Sequence, residues 1–183
     1  MKKACVITLL AASVLSACAG AFSQGARDRN PGPCPAAIIL DDASRLVEFE
    51  GEPAPEAIAY TAEMIAIRTT CRYFDDVPIR ARVQVEMALG RGPAGEARRR
   101  DFPYFVAVTR TDRELIGKRE FTRSVSLAKG DAKVVIVDID NIVIPRAGRA
   151  TSGTNFEIVV GFALTREQTI YNRTGKSLKF PEL

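Results

Sequence analysis

The amino-acid sequence predicts an all-β domain in which two antiparallel sheets pack face to face, and three observations carry that prediction. Apolar residues recur at every second position over long stretches, clusters of Gly, Pro and Asp separate those stretches, and no stretch has the 3.6-residue period of a long amphipathic helix. The clearest alternation runs from Ile79 to Leu89. Ile79, Ala81, Val83, Val85, Met87 and Leu89 face one way, and Arg80, Arg82, Gln84, Glu86 and Ala88 face the other. A strand of that kind has one buried face and one wet face.

Taken in order, Ala37–Leu40 and Leu46–Glu50 read as one interrupted first strand. Ile58–Cys71 follows, long enough for a break midway, and then Ile79–Leu89. Tyr104–Arg110 and Leu115–Leu127 are joined through a hairpin loop at Thr109–Glu114, and Lys133–Ile144 comes next. In the last strand, Phe156 to Leu164, the second face carries Val159, Gly161 and Ala163, so this strand is expected to be central with both faces partly covered. Turn chemistry separates these runs at Gly51-Glu52-Pro53, Asp75–Pro78, Gly90–Pro93, Lys129–Asp131 and Gly148–Gly153. Seven strands so divided suggest an immunoglobulin-like antiparallel β-sandwich. The chain has no Trp, and Cys34 and Cys71 lie outside the usual inter-sheet positions, so the expectation is one of architecture and not of membership in the antibody superfamily. Thr165 and Gln168 have capping-box spacing and open a short helical turn before the tail.

Ahead of the sandwich the chain reads as a leader. Met1-Lys2-Lys3 is basic, Ala4–Leu15 is uncharged and apolar, and the small residues Ser16 and Ala17 precede Cys18. That is the pattern of a secretory signal peptide, and the apolar run is too short to span a bilayer. Leu15-Ser16-Ala17-Cys18 has the form of a lipobox, in which the cysteine is acylated and becomes the first residue of the mature chain. A diacylglyceryl group together with a further acyl chain anchors a protein durably, whereas one chain does not. Ala19 follows, where an Asp would favour retention at the inner membrane, so the expected location is the outer membrane with the domain facing the periplasm. The expected organisation is a signal peptide over residues 1–17, a lipidated flexible tether over 18–33, a β-sandwich over 34–165, and a helical turn with tail over 166–183.

The remaining cysteines fit the same compartment. Cys5 leaves with the leader, and Cys34 and Cys71 are expected to pair, since disulfides persist where the surroundings are oxidising. The net charge of +4 counts Lys2 and Lys3, so the mature chain is nearer neutral and its basicity does not point to nucleic acid.

Several pieces of the chain resemble a group of short, uncharacterised alphaproteobacterial lipoproteins. They are Cys34-Pro35, Cys71 with Tyr73, Arg91–Ala94, Phe102–Val108, Ile144-Pro145, Gly161-Phe162, and Glu167-Gln168 with Tyr171-Asn172-Arg173. The resemblance covers nearly all of the mature domain. It implies an envelope location and a β fold, and no activity.

The absence of histidine removes Ser-His-Asp and Cys-His catalysis and the His-based zinc sites, and no Gly-rich loop has phosphate-cradle spacing. Asp138 and Asp140 share a strand face, with too few oxygens nearby for a calcium site. No cofactor or metal is expected. Arg98-Arg99-Arg100, with Arg91 nearby, is the one dense basic segment, and its Gly-Pro content suggests a projecting loop. It reads either as a solvated loop or as a contact for an anionic partner. The leading functional reading is a non-catalytic accessory or scaffold domain, held to the bilayer through Cys18 and binding another envelope protein. The alternative is a small-ligand or glycan-binding module that uses loops at one end of the sandwich.

Overall fold

The computed structural model describes residues 32–96, 98–128 and 130–176; the leader, most of the tether with Cys18, and the last residues of the tail lie outside the described residues. Among the described residues, eight strands form two four-stranded sheets. One holds β1 (Ala36–Ile39), β8 (Phe156–Phe162), β5 (Arg99–Arg110) and β6 (Leu115–Ser126), side by side in that order. The other holds β2 (Arg45–Phe49), β3 (Ile58–Arg72), β4 (Ile79–Arg91) and β7 (Ala132–Ile144). The all-β sandwich of the sequence analysis is therefore present. The likeness to immunoglobulin domains is one of layered architecture, because the strand order within each sheet is not theirs.

The interrupted first strand resolves into two strands of different sheets. β1 runs parallel to β8, a 3-10 turn at Asp41–Ala43 redirects the chain, and β2 then runs antiparallel to β3. The count rises from seven to eight for this reason, and one pairing is parallel. The break expected in β3 is a bulge: Met64 faces Met87 and Ala66 faces Glu86, which leaves Ile65 as the extra residue. β7 bulges too, between the Ala81–Ile142 and Val83–Ile139 pairs, and Asn141 takes a left-handed conformation there, with φ 59°.

β4 shows how the alternation builds the core. Val83, Val85, Met87 and Leu89 are fully buried against Phe102, Tyr104 and Val106 of β5 and Ile158, Val160 and Phe162 of β8. Each such side chain contributes about 2 kcal/mol on leaving water. β8 is central between β1 and β5, as its two-sided apolar pattern requires. At Gly161 a Cβ would stand 2.7 Å from the Cβ of Ala43 and 3.0 Å from the Phe105 ring, so the second face is covered closely.

The final element, α1 (Arg166–Arg173), is longer than the single turn expected and belongs to the domain. Its capping box is formed, with the Gln168 amide donating to Thr165 Oγ1 at 3.2 Å and the Thr165 amide donating to Gln168 Oε1 at 2.9 Å. The Asn172 side-chain amide donates to the carbonyls of Asp42 and Arg45, at 2.9 and 2.8 Å, which seats the helix over the β1–β2 crossing.

Tyr104 stacks on Phe121 at 5.4 Å and is nearly buried. Burial pushes its phenol above the ordinary value of 10.0, and the charge of Arg123 partly offsets this. A group whose folded pKa is raised stabilises fully below its unfolded pKa and loses that contribution as pH climbs through the folded value. Stability is therefore expected to fall above about pH 10. In a thermal-melting series, Tyr104→Phe should remove part of that alkaline decline; an unchanged slope would assign the decline to other groups.

Candidate functional site

The two long sides of the sandwich differ. On one side the edges are short, β1 with 4 residues and β2 with 5. There α1 packs against β2, with Tyr171 edge-on to Phe49 at 5.4 Å and Arg173 paired to Asp42 at 2.6 Å. On the other side the edges are β6, with 12 residues, and β7, with 13. These two strands follow each other in the chain but lie in different sheets, and the gap between them is an open cleft of about 430 Å³. Val106, Val108 and Phe121 line it from one sheet, and Ile139 and Ile142 from the other. Lys118, Arg119 and Asn141 form its polar border.

Register assigns the faces of both edge strands. On β6, Gly117, Arg119, Phe121 and Arg123 stand opposite Val108, Val106, Tyr104 and Phe102, so they share the inner face. The Arg119 guanidinium lies over the Phe121 ring at 5.0 Å. The outer face of β6 carries Lys118 and Glu120, paired at 2.9 Å. A long edge strand invites pairing with another chain, and charges on it, inward-pointing ones included, oppose that. β6 is defended in this way.

β7 is defended over only part of its length. Val135, Val137 and Ile139 stand opposite the buried Met87, Val85 and Val83 and face the core, and of these Ile139 lines the cleft. Val134, Ile136 and Asp138 stand opposite Ala88, Glu86 and Gln84 on the outer face. The C-terminal half has Asp138, Asp140 and the bulge. Asp138 accepts from the Gln84 side chain at 3.0 Å, and Asp140 pairs with Arg82. The two acids are thus engaged separately along the sheet. Among the described residues no three potential metal ligands cluster. From Val134 to Val137, β7 has no charge and no bulge, and Val134 and Ile136 are 48% and 54% exposed.

The basic segment is built differently from the loop the sequence suggests. Arg91 ends β4 and is 9% exposed; one of its guanidinium nitrogens donates to the Leu127 carbonyl at 3.4 Å. Gly92 to Gly95 lie flat against β3, with the Gly92 and Ala94 amides donating to the carbonyls of Ala59 and Ile58 at 2.9 and 3.0 Å. Arg98 pairs with Glu96 at 3.1 Å. Arg99 and Arg100 open β5, and Arg100 pairs with Glu48 and sits over the Tyr60 ring at 5.5 Å. The hydrogen bond that Arg100 donates to Glu48 raises the Arg100 pKa further, so this guanidinium is fixed as a charge and largely neutralised by its partner. Of the four arginines, Arg99 is exposed without an acidic partner among the described residues.

Cys34 and Cys71 form the expected disulfide, with Cα atoms 5.6 Å apart, and it ties the approach to β1 in one sheet to the end of β3 in the other. Beside it the Tyr73 hydroxyl donates to the Pro33 carbonyl at 3.0 Å and accepts from the Gly153 amide at 3.2 Å. Arg146, over the Tyr73 ring, donates to the carbonyls of Asp75, Val77, Arg149 and Thr151 and so clamps two loops at that end. Among the described residues no helix is long and apolar enough to cross a membrane. No protein-family model, curated protein or solved structure matches this chain.

Proposed function

We propose that this chain is a non-catalytic envelope lipoprotein, anchored through acylated Cys18 at the periplasmic face of the outer membrane, whose β-sandwich binds another envelope protein by strand addition at β7. The observation that carries the reading is the uncharged, half-exposed edge from Val134 to Val137; the open cleft lies further along β7, at Ile139 to Val143. An extended partner segment would gain main-chain hydrogen bonds along the edge, and alternate side chains of it would lie beside Val134 and Ile136. The cleft's size also supports a small-ligand module, though its lining suits an apolar ligand better than a glycan.

The test is a photo-crosslinking residue at Val134 in cells, with and without Ile136→Lys. A discrete protein adduct at position 134 that the lysine variant abolishes is the expected result, because a charge on an edge opposes pairing. Adducts unaffected by Ile136→Lys but lost when Arg98, Arg99 and Arg100 become Ala would move the contact to the start of β5. Turnover of an envelope substrate by the purified protein would overturn the non-catalytic reading.

A further inference from the structure

The outer face of the β2-β3-β4-β7 sheet is electrically divided. Toward the β3–β4 turn it carries Arg68, Arg72, Arg80 and Arg82, all exposed. Arg72 stands directly opposite Arg80 in the antiparallel register, Arg82 stands opposite Thr70, and Arg68 is one step further along. Like charges directly opposite each other destabilise a strand pair. Arg82 is compensated by Asp140, but among the described residues Arg68, Arg72 and Arg80 have no acidic partner. Arg72, Arg80 and Arg82, with Thr70, Asn141 and the Arg82-paired Asp140, border a shallow depression of about 520 Å³. The nearby Asp75 is already paired with Arg149, at 2.6 Å.

This face lies at the end where the chain enters the domain. Arg72 adjoins Cys71, which is bonded to Cys34, and Tyr73 binds the Pro33 carbonyl. Exposed Phe74 follows in the same turn, and exposed Val143 stands opposite Arg80. The composition of residues 18–31 gives a reach of about 20 Å between Cys18 and Gly32. We infer that the Arg68–Arg72–Arg80 face docks on the phosphate headgroups of an anionic bilayer and so sets the orientation of the domain. The choice of a bilayer over an acidic protein rests on the anchored reading above; the unpaired arginine register does not. Docked this way, Val135 of β7 stands about 24 Å further along the sheet than Val143, clear of the headgroups and open to a partner.

The test uses the chain from residue 18 with Cys18→Ser, so that no acyl chain contributes, mixed with phosphatidylcholine vesicles or with vesicles that are roughly a third phosphatidylglycerol. Sedimentation with the anionic vesicles alone, weakening as salt rises, is expected. Each arginine lost should lower partitioning about fivefold, so Arg72→Ser with Arg80→Ser should lower it about twenty-fivefold. Circular dichroism checks that this double variant is folded. Arg99→Ser, on the other sheet, should leave binding unchanged, and so should soluble glycerophosphate at millimolar concentration. Ile136→Lys should not weaken it, which separates failure of this inference from failure of strand addition. Equal binding to neutral vesicles, no binding to either kind, or full binding by the double variant would overturn the inference. Competition by glycerophosphate would overturn it too and make the face a site for a free phosphate ligand.

Discussion

Serine at both Cys34 and Cys71 is expected to lower the unfolding free energy by about 4 kcal/mol in urea titrations, read as a fall in midpoint at constant slope. The bridge spans a sequence separation of 37 residues, and the lost loop-closure entropy sets that figure. Both cysteines are only half-buried, so serine adds no buried unsatisfied hydroxyl to confuse the measurement. A domain of this size is stable by only about 5–15 kcal/mol, so the loss is a large fraction of the whole. The effect should be felt first where the bridge acts. Pro33 and Tyr73, next to it in the chain, form one hydrogen-bonded cluster with Gly153, and the parallel β1–β8 pairing of 4 residues begins two residues after Cys34. Amide exchange in β1 should therefore accelerate more than exchange in β4. A loss below about 1 kcal/mol would mean that the reduced unfolded chain is itself constrained.

What the sequence made legible depends on whether the physics is local. β4 was readable because its two faces meet different media, and each residue from Ile79 to Leu89 reports its own face. The capping box at Thr165 and Gln168 was readable because its bonds close within one turn. β5 begins five residues earlier than its pattern suggests, at Arg99. The Arg run and Pro103 argue against a strand, but pairing with β6 from Ser126 onward overrides them. The candidate site was the least readable part. Val134 to Val137 is an unbroken apolar run, which ordinarily marks a strand buried on both faces. Only the strand order shows that β7 is an edge. The arginine face was hidden for the same reason: Arg72 and Arg80 each read as a wet-face residue, and the β3–β4 register sets them opposite each other.

Gly92 is where a local reading and the structure diverge most, and it yields the second large effect. Next to Pro93 it resembles a turn glycine chosen for conformational freedom, yet the structure uses it for close approach. A Cβ there would stand 2.2 Å from the Ile58 carbonyl oxygen and 2.7 Å from Ile58 Cγ2. The obstructing oxygen belongs to the backbone of β3, so a rotamer change cannot relieve the clash. The Gly92 amide donates to the Ala59 carbonyl at 2.9 Å, and a shift large enough to admit a methyl group would break that bond. Overpacking and the lost hydrogen bond together set the expected cost of Gly92→Ala at about 3 kcal/mol. Gly148 is the control, because its added Cβ would meet nothing within 4 Å, and Gly148→Ala should stay within about 0.5 kcal/mol of the parent. The displaced segment links β4 to β5 between the two sheets, with buried Arg91 at one end and the Arg98–Glu96 and Arg100–Glu48 pairs at the other. Loosening it should therefore free Arg100 from Glu48 while leaving the β7 edge intact. If Gly92→Ala is as stable as Gly148→Ala, the segment is not held against β3, and the basic residues regain the freedom of a projecting loop.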